Sequence, residues 1–411
     1  MTRVMIQLSP RGAVIYQYLT LTVALLLLFA ASTLLSALNQ LPAQPLGDWA
    51  PVADGLAARS FTLLLLTGFL AAGLMMVGDA QPGNAPVWQR RIWLAFVAAA
   101  LALSALGQVP LADGLTAVVL LAVLARGWRS GKSSTYLRCW RIGMLLIALS
   151  LALQALEHAR FAAAIAAFEV QVGFALCSLS IVFWLIPRYS RLDRDWAQDS
   201  LRICAVLVFL GGGLISLGRL LMPAGLSLAA APLIIVCYIL LASHSAHALR
   251  NRDENASLAP HWIALATIFW LVGGGFLGAL SVQPGIAQAM RATDLAAAQN
   301  WLGGWVSLAV VLGFGNEAAA ALRGDNRRVT GYAPYWLLAF GVGLASVLQA
   351  GRGVLQVYLR DVGALESTAE SELLLPLTFV WLICLLAAAA GMVIYAAGFW
   401  LRRPRIRVID G

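Results

Sequence analysis

The sequence predicts an all-α integral membrane protein, and its composition carries most of that prediction. The chain has 411 residues, of which 61% are hydrophobic and 11% are charged, and its mean hydropathy is +0.82. Soluble domains are about 45–50% apolar and about 25% charged, so a water-soluble enzyme is excluded. Because a membrane-spanning helix takes about 20 residues, short loops leave no room for a large soluble domain. We expect a single domain over residues 1–411.

Twelve apolar runs follow one another along the chain, each bounded by charged residues, proline or glycine. A helix satisfies its backbone hydrogen bonds internally, as the bilayer requires, so we expect a twelve-helix transmembrane bundle. The first run exceeds the apolar core of a cleavable signal peptide, which has about 7–15 residues, and we expect it to remain as a helix. The runs are 13–38, 57–78, 92–108, 110–125, 140–156, 162–187, 201–222, 224–249, 261–281, 297–322, 333–360 and 373–401.

The loops on the two sides of the predicted bundle differ in charge. If consecutive helices alternate in direction, all but six of the 28 lysines and arginines lie on the side of the chain termini. Cytoplasmic loops carry such an excess of positive charge, so we expect both termini in the cytoplasm. The net charge of +9 then follows from topology, and it gives no reason to expect nucleic acid as a partner. The six exceptions are Arg59, Arg160, Arg219, Arg291, Arg352 and Arg360.

Two glycine-rich stretches and the cysteines are predicted to pack helices rather than to bind ligands. Gly273–Gly278 has the GxGxxG spacing of dinucleotide-binding loops, but it lies inside an apolar run with no strand before it. The small residues there and at Gly211–Gly213 favour close approach of neighbouring helices. The five cysteines are widely spaced and form no CxxC pair. We therefore expect small core residues rather than disulfides or a zinc site.

Four histidines are the candidate metal or haem ligands. His158 lies at the outer end of a predicted helix. His244 and His247 are spaced i, i+3 at the inner end of the eighth run, and His261 begins the ninth. These last three residues are placed to converge on a metal ion at the cytoplasmic face, although their polar neighbours equally suit an ordinary interface.

Charged residues inside the predicted spans are the stronger indication of a site. Each costs at least about 2.5–3.5 kcal/mol at a helix centre unless it is paired or hydrated. Glu169, Arg219 and Arg352 lie at similar depth in the outer half of three different runs. With Gln299 and Asn300 they define a candidate buried polar cluster, in which a carboxylate pairs with arginine. The alternative is that each arginine reaches the membrane surface separately.

Four stretches carry a resemblance to a known family. Residues 336–363 read WLLAFGVGLASVLQAGRGVLQVYLRDVG, 266–280 read ATIFWLVGGGFLGAL, 183–188 read FWLIPR, and ARSFTLLLLTGFLAAGL begins at Ala58. They resemble helices 11, 9, 6 and 2 of the large subunit of bacterial nitric oxide reductases, especially the quinol-dependent type, in the haem-copper oxidase superfamily. The resemblance implies a bundle of the haem-copper oxidase subunit I type in the bacterial inner membrane, with other respiratory subunits as partners.

The same resemblance implies histidine ligands for two haems and a non-haem metal, and this sequence replaces them. Phe61 stands where the second helix carries a histidine in that family. Arg219 and Leu220 stand at the ligand positions of the seventh helix, and Gln299 and Trp301 at those of the tenth. None of these side chains is a usual haem ligand, so we expect no cofactor at the family's sites.

Glu169 falls close to a glutamate that the resemblance places beside the non-haem iron. An ion pair between Glu169 and Arg219 would then replace the metal centre. The leading prediction is a haem-free, non-catalytic relative that acts as a structural, assembly or regulatory subunit of a respiratory membrane complex. Its expected partners are membrane lipid and an oxidase, reductase, cytochrome or second copy of itself.

Two other functions stay open at this point. The first is a transporter or a quinone- or lipid-binding protein whose vacated cavity is lined by the candidate polar cluster. The second is an enzyme that reduces nitric oxide or oxygen with displaced ligands, at His158 or at His244, His247 and His261.

Overall fold

The protein is a bundle of long helices, as the computed structural model of the chain shows. It describes residues 5–8, 10–41, 45–80, 87–127, 134–156, 159–189, 194–221, 224–251, 257–273, 294–323, 330–361, 367–401 and 405–408. The helices are α1 Pro10–Leu38, α2 Ala50–Ala80, α3 Val87–Ala105, α4 Val109–Gly127, α5 Thr135–Leu156, α6 Ala159–Phe168, α7 Ala175–Tyr189, α8 Arg194–Leu221, α9 Ala224–Arg250, α10 Ala259–Trp270, α11 Asp294–Arg323, α12 Tyr332–Asp361 and α13 Ser367–Leu401.

Shorter elements complete the chain. A π-helical segment, Glu169–Phe174, joins α6 to α7 without a break. A 3-10 turn, Gly47–Trp49, precedes α2. Two strands, β1 Met5–Leu8 and β2 Arg405–Val408, pair in parallel and bring the two ends of the chain to the same end of the bundle. The sequence did not predict these strands.

Every predicted apolar run overlaps a described helix, which confirms a helical membrane protein. Among the described residues, nine helices are long and apolar enough to cross a membrane. Three apolar helices are shorter, at 10–17 residues: Arg91–Ala105, Val109–Ala125 and Ala259–Gly273. The nine long helices indicate a multi-pass protein, and the full count of twelve spans stays a prediction.

The centre of the bundle is formed by α2, by the α6–α7 helix and by α11. In the apolar 18-residue stretch of each of these spans 72%, 83% and 83% of the residues are buried, against 39–50% in the others. The remaining helices pack around this centre, largely as neighbouring pairs such as α1 with α2, α8 with α9 and α12 with α13. A site in the interior of the bundle must therefore be formed by residues of the three central helices or by residues that face these helices.

The predicted packing role of the small residues is confirmed at Gly211, Gly212 and Gly273, whereas a Cβ atom on Gly213 would meet nothing within 4 Å. A Cβ atom on Gly211 would lie 2.8 Å from Ile234 of α9, and one on Gly212 would lie 2.6 Å from Val172 of the π-helical segment. At Gly273 it would lie 2.6 Å from Leu302 of α11, while residues 274–278 lie outside the described part. The five cysteines are free thiols, and all but the partly buried Cys139 are buried.

Candidate functional site

Five polar residues form a layer near the end of the bundle that lies away from the chain termini, and we refer to them as the distal polar layer. Each comes from a different helical segment. The central contact joins Arg59 and Asp113, with 2.7 Å between Nη2 and Oδ1, and their side chains are only 6% and 10% exposed. The members are Arg59 on α2, Ser104 on α3, Asp113 on α4, the half-buried Gln154 on α5, and Glu169 at the start of the π-helical segment.

The Arg59 guanidinium also donates hydrogen bonds to two groups of the α3–α4 hairpin. Its Nε donates to the hydroxyl of Ser104 at 3.1 Å, and its Nη2 donates to the carbonyl oxygen of Val109 at 3.5 Å. A buried charge is tolerated in a low-dielectric interior only when partners of this kind replace water. Arg59 therefore fixes α2 against both helices of the α3–α4 hairpin.

Glu169 contacts the other side of the layer. Its Oε2 accepts a hydrogen bond from Nε2 of Gln154 at 2.7 Å, and the residue is 6% exposed. The charges of Asp113 and Arg59 both act on this carboxyl group. The layer thus contains one guanidinium and two carboxyl groups, and the direct partner of Glu169 is a neutral amide.

Two close helix contacts place these groups together. Gly114, next to Asp113, lies against α5, since a Cβ there would be 3.4 Å from Cβ of Ala155. Gly143 lies against the π-helical segment, since its Cβ would be 3.0 Å from the carbonyl oxygen of Gly173. Glycine allows helices to approach this closely. As a result α5 lies close to both α4 and the π-helical segment, and Gln154 reaches Glu169.

The residues of the predicted polar cluster are only partly described. Glu169 is in the distal polar layer, as stated above. Arg352 is half-buried on α12, which packs chiefly against α11 and α13. The side chains of Arg219, Gln299 and Asn300 lie outside the described residues, so the pairing of Glu169 with Arg219 stays a prediction.

That pairing is testable by substitution at each position. Either Glu169→Gln or Arg219→Leu is expected to lower the free energy of unfolding by about 3–5 kcal/mol, because each leaves the other charge uncompensated in the bilayer. Thermal unfolding in detergent measures the change. Leu220→Ala is the control, because Leu220 is 38% exposed and contributes little packing. If both charge variants unfold like the unmodified protein, the ion pair is excluded.

The positions at which the resemblance implies haem or metal ligands are filled or directed outward where they are described. The ring of Phe61 lies 4.8 Å from that of Phe29 on α1, and a Cβ on Gly304 of α11 would lie 2.9 Å from Cε1 of Phe61. Leu220 is exposed on the surface of α8. The side chain of Trp301 lies outside the described residues, as does that of Gln299. Phe61 and Leu220 have no donor atom for iron, so neither side chain can be the haem ligand that the resemblance implies at its position.

The three histidines predicted to converge on a metal ion do not come together. Among the described residues no group of three His, Cys, Asp or Glu side chains is placed to hold a metal ion. His244 is buried and stacks on Trp196 at 4.0 Å, with Nδ1 2.7 Å from the carbonyl oxygen of Leu240. His247 is exposed, although i, i+3 spacing places it one turn from His244 on the same side of α9. His261 packs edge-on against Tyr332 of α12, and His158 lies outside the described residues.

A second polar network lies near the end of the bundle that carries the termini. Ser257 donates a hydrogen bond to Oε2 of Glu317 at 2.9 Å, and its Oγ is 3.4 Å from the hydroxyl of Tyr189. These contacts connect the C-terminus of α7 and the N-terminus of α10 with α11. They provide hydrogen bonds for polar groups at helix ends, as helix termini require.

Two small cavities are lined by described residues. One lies between the π-helical segment and α11, beside Gln171, Gly303 and Ser307, and the other lies between α1 and α11 beside Tyr395. Each has a volume of about 10 Å³, which is close to the minimum for one water molecule. Neither is large enough for a quinone or a lipid.

Sequence reasoning missed four members of the distal polar layer. Arg59 and Asp113 lie near the predicted ends of apolar runs, and the sequence analysis places Arg59 on the outer side of the membrane rather than in the interior. The signal available was their opposite charge at one predicted depth on neighbouring helices. Ser104 and Gln154 carry no such signal, since single polar residues are common in apolar helices.

A search against protein families finds no match for the chain, and a search of curated proteins finds no similar sequence.

Proposed function

We propose that the chain is a haem-free, non-catalytic relative of the nitric oxide reductase and haem-copper oxidase large subunits. In this proposal it serves as a structural, assembly or regulatory subunit of a respiratory complex in the bacterial inner membrane. The observation that supports it most directly is the packing of Phe61 against Phe29 and Gly304. An aromatic ring fills the space at the position where the resemblance implies a haem ligand.

The distal polar layer is consistent with a structural role. Its central ion pair already satisfies the Arg59 guanidinium, and Glu169 is held by the Gln154 amide. The layer joins five helical segments through side-chain hydrogen bonds and helix packing. The distal polar layer therefore holds these helical segments together at the place where the resemblance implies a metal centre.

The membrane topology belongs to the same proposal. We infer twelve spans with both termini in the cytoplasm, from the excess of arginine and lysine on one set of loops. The parallel pairing of β1 with β2 supports this arrangement, because an even number of spans returns the chain to the side where it began.

The loss of haem is tested on the purified protein. It should be expressed in a host that loads haem into active nitric oxide reductases, and an active reductase purified in parallel is the control. We expect no haem bands in the reduced-minus-oxidised spectrum and no stoichiometric iron or copper. One haem or more per chain would contradict the proposal and would favour a redox enzyme with displaced ligands.

The partner role requires a separate measurement. The tagged chain is extracted from its own membranes in a mild detergent and separated on a native gel. We expect it to migrate with haem-containing respiratory subunits. Migration of the chain alone, at the mass of one copy with detergent, would contradict an assembly or structural role in such a complex.

A further inference from the structure

One buried histidine has a ring nitrogen without a partner. His244 of α9 is 1% exposed. Its Nδ1 lies 2.7 Å from the carbonyl oxygen of Leu240, and because a carbonyl oxygen can only accept, Nδ1 carries the hydrogen of this bond. The neutral ring then has its lone pair on Nε2. That nitrogen is buried and has no hydrogen-bond partner among the described residues, so it is an unused acceptor in the interior of the bundle.

Two aromatic rings enclose this imidazole. The ring of Trp196, in the first turn of α8, stacks on it at 4.0 Å with 14° between the planes. The ring of Phe183 on α7 meets it edge-on at 5.2 Å. Trp196 is itself about half exposed. Its ring therefore lies between the imidazole and the surroundings of the bundle, at the end that carries the termini.

A positive charge on the imidazole has little compensation in this packing. Among the described side chains, no carboxylate forms an ion pair with His244. The charge of His247, which is exposed one turn further along α9, acts on the imidazole and opposes a second positive charge. Other charged or titratable side chains on α9 and on the helices packed against it include the exposed Arg250 of α9, Arg188 of α7, Asp195 and Asp199 of α8, and the half-buried His261 of α10.

We propose that His244 and Trp196 form a proton-operated switch at the end of the bundle that carries the termini. Histidine takes up a proton between about pH 8 and about pH 5, and here the proton must go to Nε2, because Nδ1 already carries one. The new N–H group has no acceptor in the packed arrangement, and a buried donor without a partner is costly. Water reaches this group when the Trp196 ring moves off the imidazole, so protonation opens the contact between α8 and α9.

Trp196 is the part of the contact that is placed to move. The imidazole is held to its own helix by the bond to Leu240, and Phe183 is completely buried on α7. Trp196 lies in the first turn of its helix and is about half exposed, and exposed side chains change rotamer readily. The inference uses neither the loss of haem nor the identity of a partner, so it goes beyond the proposed function.

Tryptophan fluorescence of the full-length protein in detergent tests the movement. The contribution of Trp196 is the difference between the unmodified protein and Trp196→Phe. On lowering the pH from about 8 to about 5, we expect this contribution to shift to longer wavelength and to be quenched more strongly by acrylamide, because water replaces the imidazole beside the indole. His244→Phe keeps an aromatic ring but binds no proton, so it should abolish the response. His247→Phe is the matched control and should retain the response.

Nitrogen NMR of the histidines measures protonation independently. The chain has only four histidines, so isotope labelling of this residue type gives few signals. The signals of His244 are those missing from His244→Phe, or from His244→Gln if the first variant does not fold. We expect one of its two ring nitrogens to be protonated at about pH 8 and both to be protonated at about pH 5.

Three results would overturn the proposal. The first is a His244 ring that stays neutral throughout this pH range. The second is a fluorescence response that persists in His244→Phe, and the third is protonation of His244 with no change in the contribution of Trp196. A reduced-minus-oxidised spectrum of the same samples reports haem, which keeps this result separate from the test of the proposed function.

Discussion

Replacing Arg59 with leucine is expected to lower the free energy of unfolding by about 3–5 kcal/mol. The substitution leaves the Asp113 carboxylate buried without its guanidinium partner, 2.7 Å away in the native protein. It also removes the hydrogen bond to Ser104. Unfolding in a mild detergent, followed by the loss of the monodisperse chromatographic peak with temperature, measures the change.

The double variant Arg59→Leu with Asp113→Leu separates charge from packing. Because both charges are then absent, much of the lost stability should return, as buried ion pairs are often neutral when both partners become apolar. Arg202→Leu is the matched control, since Arg202 forms an exposed pair with Asp199 at 2.8 Å. Exposed pairs contribute about 1 kcal/mol or less. Equal losses for Arg59→Leu and Arg202→Leu would show that the distal ion pair is not buried in the membrane protein.

Gly341→Ala is expected to be the most damaging single-methyl substitution on α12. A Cβ at this position would lie 2.7 Å from the backbone nitrogen of Ala388 and 2.8 Å from the carbonyl oxygen of Cys384. Backbone atoms of a packed helix do not move aside as a flexible side chain does. The added methyl must therefore push α12 and α13 apart, at a cost of about 1–3 kcal/mol or more.

The control for this substitution lies two residues further along the same helix. A Cβ on Gly343 would meet nothing within 4 Å. Gly343→Ala should therefore stabilise slightly, since alanine is the better helix former. Thermal unfolding in detergent compares the two variants directly. If the Gly341→Ala variant is as stable as the Gly343→Ala variant, close packing of α12 on α13 at Gly341 is excluded.

The helices were predictable because their signal is local. Each apolar run has a composition that only a helix accommodates in a bilayer, and each overlaps a described helix. Boundaries were less accurate, and the error had a consequence. The second run was predicted to begin at residue 57, whereas α2 begins at Ala50. Arg59 was therefore assigned to the membrane surface, although it lies more than two turns inside the helix.

The candidate site was less predictable because its contacts join distant parts of the chain. Glu169 was recognised from its charge within an apolar run. Its partner, Gln154, is 15 residues away on another helix, and Arg59 is 54 residues from Asp113 in sequence. A single sequence contains no information on which faces of two helices meet. The π-helical segment at Glu169 also depends on tertiary packing, so the direction of this side chain was not predictable.

The short helices of the α3–α4 hairpin have a consequence for the surrounding lipid. Their apolar parts, Arg91–Ala105 and Val109–Ala125, are about 23 and 26 Å long at 1.5 Å per residue. The hydrocarbon core of a typical bilayer is about 30 Å thick. Lipid beside this hairpin must thin to match it, at a modest cost for each ångström of mismatch. Headgroups and water should therefore descend toward Arg59 and Asp113 beside this hairpin, giving the bilayer around the protein an uneven thickness.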